Sequence, residues 1–166
     1  MYGGLLCFPD GKAENPYYLL ARQKPSPLTE PFDHAYFLGI IASPGMQKLS
    51  AKAALATEQR IPGLGNGVLQ DILYHAGVHP RRLIGSLSGT EMEKLYQSVK
   101  TTLADMAAQG GRDTEKDLFG QPGGYVTRCS KLTVGSPCSI CGNPIRKASY
   151  MGGSVYFCEV CQPLPG

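Results

Sequence analysis

No stretch of this chain approaches the roughly 20 consecutive apolar residues that a membrane span requires, so bilayer insertion is excluded and no membrane partner is expected. The opening residues, Met1-Tyr2-Gly3-Gly4-Leu5-Leu6, lack a basic segment before the apolar ones and lack a small-residue cleavage site. The start does not read as a secretory signal, and a cytoplasmic location is the expectation by default. Charged residues are few, at 17%, but hydrophobic ones reach 42%, the balance of a folded chain and not of a disordered one. A length of 166 residues leaves no room for a large multi-domain enzyme and suits two small modules. No repeat or low-complexity tract appears. Acidic side chains nearly vanish towards the end: from Phe119 onward Arg128, Lys131, Arg146 and Lys147 face the single acid Glu159, whereas residues 1–118 hold twelve basic and twelve acidic side chains. The net charge of +3 therefore lies in the last 48 residues, and the basic C-terminal module is the one expected to seek a partner.

Catalytic constellations are also missing. His34, His75 and His79 are scattered without a partner at motif spacing, and each reads as a surface or helix-end residue. No serine or acidic set matches a known arrangement. From its chemistry alone the chain binds something and does not react with it.

The N-terminal residues read as strands. Tyr2 to Phe8 and Tyr17 to Ala21 flank the turn triplet Pro9-Asp10-Gly11, which predicts a hairpin. A lone hairpin is marginal in water, so either its sheet continues in a longer protein from which this chain is cut, which is the expectation, or these strands pack against the helices or a partner. Pro25-Ser26-Pro27 then forces an extended linker and marks a boundary. Four helices follow: Pro31 to Ala42, about Ser50 to Arg60, Gly67 to about Ala76, and one opened by the capping box of Ser88 and Glu91. Leu55, Leu64, Leu69, Ile72, Leu73, Leu95 and Leu103 are the expected core. Residues 110–125 are polar, rich in glycine and aperiodic, which predicts a mobile loop. The expected class is mainly α with small β elements: a hairpin remnant over 1–29, a four-helix unit over 30–109, the loop, and a metal module over 126–166.

The strongest motif is Cys138-x2-Cys141 followed, after sixteen residues, by Cys158-x2-Cys161. Four thiolates in two knuckles suit one structural Zn2+ with no open position for catalysis. Such a module binds DNA, RNA or protein, and the knuckles alone do not choose. Cys7 and Cys129 read as ordinary half-buried thiols. The second motif is Ile61-Pro62-Gly63-Leu64-Gly65-Asn66 between two helices, where glycines allow tight turning and the next helix aims its free N–H groups outward. It is either an anion site or a tight turn with Asn66 as helix N-cap.

Taken in order, the helix, Gly63-Leu64-Gly65-Asn66, the long helix, the glycine-rich loop, Pro137-Cys138 to Ile145 and Tyr156 to Gln162 resemble the C-terminal half of the formamidopyrimidine-DNA glycosylase and endonuclease VIII family. The resemblance covers about residues 30–162 and implies a helix-two-turn-helix domain and a zinc finger. Family members excise oxidised bases through an N-terminal proline amine helped by an adjacent glutamate. Met1-Tyr2-Gly3 supplies neither, so no catalytic residue is assigned and no normal glycosylase activity is expected. The resemblance implies a phosphate contact by Asn66, a backbone contact by Lys52 fourteen residues before it, and help from the Gly65 N–H. It also implies that Cys138, Cys141, Cys158 and Cys161 ligate zinc. Asp71 stands where the family has glutamate, and Gly153, twelve residues after Cys141, stands where the finger presents an arginine to phosphates. Arg146 and Lys147, or Arg128 and Lys131, are the candidates to compensate.

The expected function is damaged-DNA binding in base excision repair by a monomer that grips double-stranded, damaged or abasic DNA. The alternative is a non-catalytic, zinc-dependent DNA-binding protein of architectural or regulatory role. An RNA or ribosome binder would call for a run of basic residues, which is missing.

Overall fold

The computed structural model of the chain describes residues 8, 9, 12 and 15–164. Among these described residues five helices precede one hairpin: α1 (Pro16–Arg22), α2 (His34–Ile41), α3 (Ala51–Ala56), α4 (Asn66–Ala76), α5 (Gly89–Ala108), then β1 (Arg146–Tyr150) and β2 (Gly153–Phe157). Short 3-10 turns at Met46–Lys48 and Ile84–Ser86 link them. The class read from the sequence, helical with a small β element at its end, is the class observed. No helix among the described residues is long and apolar enough to cross a membrane.

The N-terminal reading needs correction. Tyr17 to Ala21 lies in helix α1 and not in a strand, while the proposed partner strand lies outside the described residues apart from Phe8. The cause is local. The Asn15 side chain accepts from the N–H groups of Tyr17 and Tyr18, at 3.0 and 3.2 Å, and Pro16 takes the first helical position, where its missing N–H costs nothing. No residue of α1 is buried.

Helices α2, α3 and α5 are each opened by a side-chain cap. Asp33 accepts from Tyr36 N at 2.7 Å to start α2, and Ser50 accepts from Ala53 N at 3.2 Å to start α3. Two further N–H groups of α3, those of Ala51 and Lys52, donate to Arg82 O and Pro80 O at 2.8 and 3.1 Å. The segment after α4 therefore satisfies the donors at the beginning of α3. The Ser88 and Glu91 capping box forms as the sequence predicts, with both of its hydrogen bonds present. Helix α4 stops at Gly77, whose φ of 69° a side chain would strain, and Val78 N closes the end on Leu73 O at 2.9 Å.

One core joins these helices. Leu55, Leu64, Leu69, Ile72, Leu73 and Leu95 lie inside it with Phe32, Phe37 and Val99, and Leu103 packs on its edge. Leu69, Ile72 and Leu73 on α4 are wholly buried, each contributing about 1.5 to 3 kcal/mol by leaving water. Ser98 on α5 donates to Ile72 O at 2.6 Å, which ties the long helix to α4.

The other side of α4 carries the finger. Strand β2 follows α4 in the same direction: Ser154 meets Asn66, Tyr156 meets Gln70, and Gln162 meets Val78. The match is dimensional. Eleven helical residues at about 1.5 Å each and five strand residues at about 3.3 Å each both cover roughly 16 to 17 Å. Strand β1 pairs antiparallel with β2, from Arg146 opposite Phe157 to Tyr150 opposite Gly153.

Residues 110–125 form a closed ribbon and not the irregular excursion that the composition suggests. Tyr125 N donates to Gly111 O at 3.0 Å, Asp113 N to Tyr125 O at 2.9 Å, and Asp117 N to Gln121 O at 2.9 Å. A side chain on Gly123 would collide with the backbone of Gly111 at 2.2 Å, so glycine there is what lets the two limbs touch. Leu118 and Phe119 are left exposed at the tip.

Candidate functional site

The four expected metal ligands converge. Cys138, Cys141, Cys158 and Cys161 hold their sulfur atoms within 4.8 Å of one another, with Cys138 to Cys161 at 3.8 Å and Cys141 to Cys158 at 3.4 Å. A tetrahedral ion with bonds of about 2.3 Å sets its ligands roughly 3.8 Å apart, so the cluster can hold one metal ion. Burial raises the Cys138 thiol, but the Tyr74 hydroxyl at 3.1 Å and the N–H groups of Cys141 and Ile140 outweigh it and hold its pKa down to about 6. A hydroxyl donating to a ligand sulfur is the kind of outer support that fixes a metal site. Gly142, at φ 76°, turns the first knuckle.

This end of the finger is sealed onto the C-terminal half of α4. Gln162 is wholly buried, its amide donating to Val78 O at 2.9 Å and accepting from Cys158 N at 2.9 Å. Asp71, also buried, accepts from Arg128 N and Cys129 N at 2.9 and 2.7 Å. Burial pushes the Asp71 carboxyl up, and these N–H groups with the Tyr125 hydroxyl pull against it. Cys129 is buried beside the cluster instead of half-buried, with its thiol pushed well up by burial and by the Asp71 carboxylate. Cys7 lies outside the described residues. Contrary to the surface role read from the sequence, His79 is buried against the Phe157 ring at 4.4 Å, and burial lowers its pKa. His34 opens α2 and His75 stands in the last turn of α4, both within the surface or helix-end role read from the sequence; His34 Nε2 also lies 3.0 Å from the Glu93 carboxylate, a pairing the sequence did not signal.

The opposite end is open. The turn between the strands, Met151-Gly152, overhangs the N-terminus of α4, where Lys52 Nζ donates to Tyr150 O at 2.6 Å and Asn66 Nδ2 donates to Ser154 O at 3.2 Å. An added side-chain carbon at Gly153 would sit 3.3 Å from Lys52 Nζ and 3.8 Å from Asn66 Nδ2. Lys52, Asn66 and Gly153, far apart in sequence, thus meet at one point. Lys52 is 5% exposed, so its ammonium is covered and not a free surface charge, and burial lowers its pKa. Gly65, and not Asn66, is the N-cap of α4; Asn66 occupies the first helical position, which frees its amide for other partners. The motif is therefore a turn and a candidate donor site together.

The basic residues divide. Lys131 lines a cleft of about 180 Å³ with Asn66, Gln70 and Arg112. Arg146 and Lys147 start β1 at its knuckle end, four residues and roughly 13 Å from the hairpin turn, and Arg146 faces Glu159 at 3.4 Å. Arg128 is exposed, with its backbone held by Asp71. Sequence reading missed Arg112 and Arg81. Arg112 lays its guanidinium where a side chain on Gly67 would be, 2.3 Å from that position, and pairs with Glu115. Arg81 donates to Ser149 O at 3.2 Å and stacks on the Tyr150 ring at 5.1 Å. Neither stands in a recognisable motif; the glycine after Asn66 is the one signal that could have pointed to Arg112.

A turn between two helices that aims polar donors at the tip of a hairpin anchored by four cysteines defines the class: a helix-two-turn-helix domain with a metal-knuckle finger. The family model described as the formamidopyrimidine-DNA glycosylase H2TH domain matches residues 24–117, more than half of the sequence, and the chain belongs to that family. It is 34% identical over 148 residues to the formamidopyrimidine-DNA glycosylase of Cronobacter sakazakii, covering 87% of this chain and 54% of the relative. With the formamidopyrimidine-DNA glycosylase of Gloeobacter violaceus it shares 32% over 146 residues, covering 86% and 50%. Its fold superposes on the MutM (Fpg) protein of Thermus thermophilus with a TM-score of 0.75 at 28% identity, covering 90% of this chain and 57% of that one. A Lactococcus lactis Fpg in complex with DNA containing an abasic site gives 0.72 at 25% identity, covering 90% and 54%. The chain spans about half the length of the curated relatives it matches.

Proposed function

We propose that this chain is the DNA-gripping half of a base-excision-repair glycosylase and acts as a monomer on double-stranded DNA at a damaged or abasic site in the cytoplasm. The observation that carries the reading is the meeting of Lys52, Asn66 and the hairpin turn at one exposed edge, with a structural Zn2+ on Cys138, Cys141, Cys158 and Cys161 holding the hairpin in place. Asn66 Nδ2 carries two hydrogens, and Ser154 O takes one of them; the second is offered to a phosphate. The Gly65 backbone and the exposed first turn of α4 add to the same attraction. Lys52 contributes field from beneath, screened little because it is covered. Lys131, with Arg128, extends the positive edge along the backbone of the duplex; Arg146 and Lys147 supply only distant attraction. Contacts of this kind position DNA without reading its sequence. These residues provide no nucleophile, so the reading assigns incision chemistry to the proline amine and glutamate of the family and not to this stretch of chain.

The test is titration of the zinc-loaded chain against a duplex with one stable abasic-site analogue and against its undamaged twin, at two salt concentrations, with strand incision followed in parallel. Tighter, salt-sensitive binding to the damaged duplex without incision is expected. Equal binding to both duplexes would favour an architectural role, and absent binding would overturn the reading.

A further inference from the structure

Gln70 belongs to no motif, yet it is a polar side chain at 2% exposure with every polar atom occupied. It sits one helical turn after Asn66, on the same face of α4. Its Nε2 donates to Asn66 O at 2.8 Å and to Asn66 Oδ1 at 3.3 Å, and its Oε1 accepts from Tyr156 N on β2 at 3.0 Å. Donor and acceptor chemistry leaves one arrangement. A backbone N–H can only donate, so Tyr156 fixes the oxygen of Gln70 towards the finger and its nitrogen towards Asn66. That nitrogen can only donate, so it holds Asn66 Oδ1 inward. Asn66 Nδ2 is then the atom turned out, towards Ser154 O at 3.2 Å and 3.8 Å from where a side chain on Gly153 would begin, on a residue that is exposed.

We propose that Gln70 is a positioning residue: it sets which end of the Asn66 amide faces the ligand, and it transmits that setting from finger strand β2 to the first turn of α4. Without it the Asn66 amide is free to turn over and present an oxygen, which a phosphate repels. The inference rests on the DNA reading for its purpose but not for its geometry, and the two are tested separately.

The first experiment is a double-mutant cycle of Gln70→Met and Asn66→Ala, read as the dissociation constant for the abasic-analogue duplex. Gln70→Met should weaken binding roughly tenfold in the wild-type background, the worth of one such hydrogen bond, and less than about twofold once Asn66 is alanine. An equal loss in both backgrounds would mean that Gln70 merely supports the fold, and would overturn the proposal. The second uses no DNA. In the free, zinc-loaded chain, the Asn66 side-chain amide protons should show nuclear Overhauser contacts to Ser154 that disappear in Gln70→Glu. That variant keeps the acceptor for Tyr156 N, so the hairpin stays attached even if methionine does not fold, and it attracts Nδ2 inward. Unchanged contacts in Gln70→Glu would sink the proposal whatever the DNA result. If the wild-type chain fails to bind either duplex while those contacts are lost in Gln70→Glu, the DNA reading fails and the positioning role stands.

Discussion

The two ends of the finger rest on the two ends of one helix and do opposite things. In the C-terminal half of α4 the polar groups that meet the finger are turned inward: Gln162 closes on Val78 and Cys158, the Tyr74 hydroxyl on Cys138, and Asp71 on two backbone N–H groups. At the N-terminal end the Asn66 side chain is held from behind and exposed in front, while the covered Lys52 ammonium fills the room that the missing side chain of Gly153 leaves. The sealed end supplies rigidity and the open end spends it on orientation. A hydrogen bond to a ligand is worth most when its donor need not be ordered on binding, and α4 with β2 together order this one beforehand.

Substitutions at either end can separate the two roles, and the largest expected effect is at the sealed end. Removing the metal with a chelator, or replacing Cys158 by serine, should unfold the finger, because a structural zinc site contributes on the order of 10 kcal/mol. Circular dichroism should show α2 to α5 retained while DNA binding is abolished; binding that survived would mean the hairpin tip takes no part. Gln162→Ala is expected next, at about 2 to 3 kcal/mol of stability, since it strands Val78 O and Cys158 N in a dry interface. Its effect should appear in thermal unfolding and metal retention, whereas at the open end Asn66→Ala should leave the melting temperature in place and weaken DNA binding by roughly 1 to 3 kcal/mol.

A control away from both ends is Glu91. Arg82 and the Ser88 cap hold its pKa down to about 2, below the ordinary carboxylate value, so its contribution to stability is complete above pH ~4.3 and is lost as pH falls towards 2. Glu91→Gln should cost about 1 kcal/mol at neutral pH, from the weakened cap, and should narrow the difference from wild type in acid unfolding curves across that window. The smallest effect should be that of Arg146→Ala, under about 0.5 kcal/mol in DNA binding, because the residue is exposed, faces Glu159 and stands away from the tip. A loss as large as that of Asn66→Ala would erase the distinction between the two ends of the hairpin.

How far the sequence could be read follows the range of the interactions involved. The capping box at Ser88, the stop at Gly77 and the apolar period of α4 and α5 act within a few residues, and they formed where expected. Tyr17 to Leu20 was misread because an unbroken apolar run has neither a strand nor a helix period. The deciding signal, Asn15 followed by Pro16, lies just outside it. Helix α3 ended at Ala56 instead of running on to Arg60 because Glu58 and Gln59 take positive φ, at 57° and 47°, in the turns that lead to α4. The ribbon over 110–125 was missed because its order comes from pairing between its own limbs through glycines that composition alone marks as loose.

By itself the sequence determined the four thiols and their spacing, the helices with local caps, the membership of the core and the concentration of positive charge near the end. Each of these depends on residue type at short separation, where chain geometry leaves few alternatives. The tertiary structure decided that Lys52 is covered, that Gly67 admits Arg112, that Arg146 and Lys147 stand apart from the tip, and that the Asn66 amide points its nitrogen outward. Those outcomes depend on segments some 45 to 100 residues apart brought into contact along α4. Only when strand and helix lie side by side does a buried glutamine gain the two partners that fix its own direction and that of its neighbour.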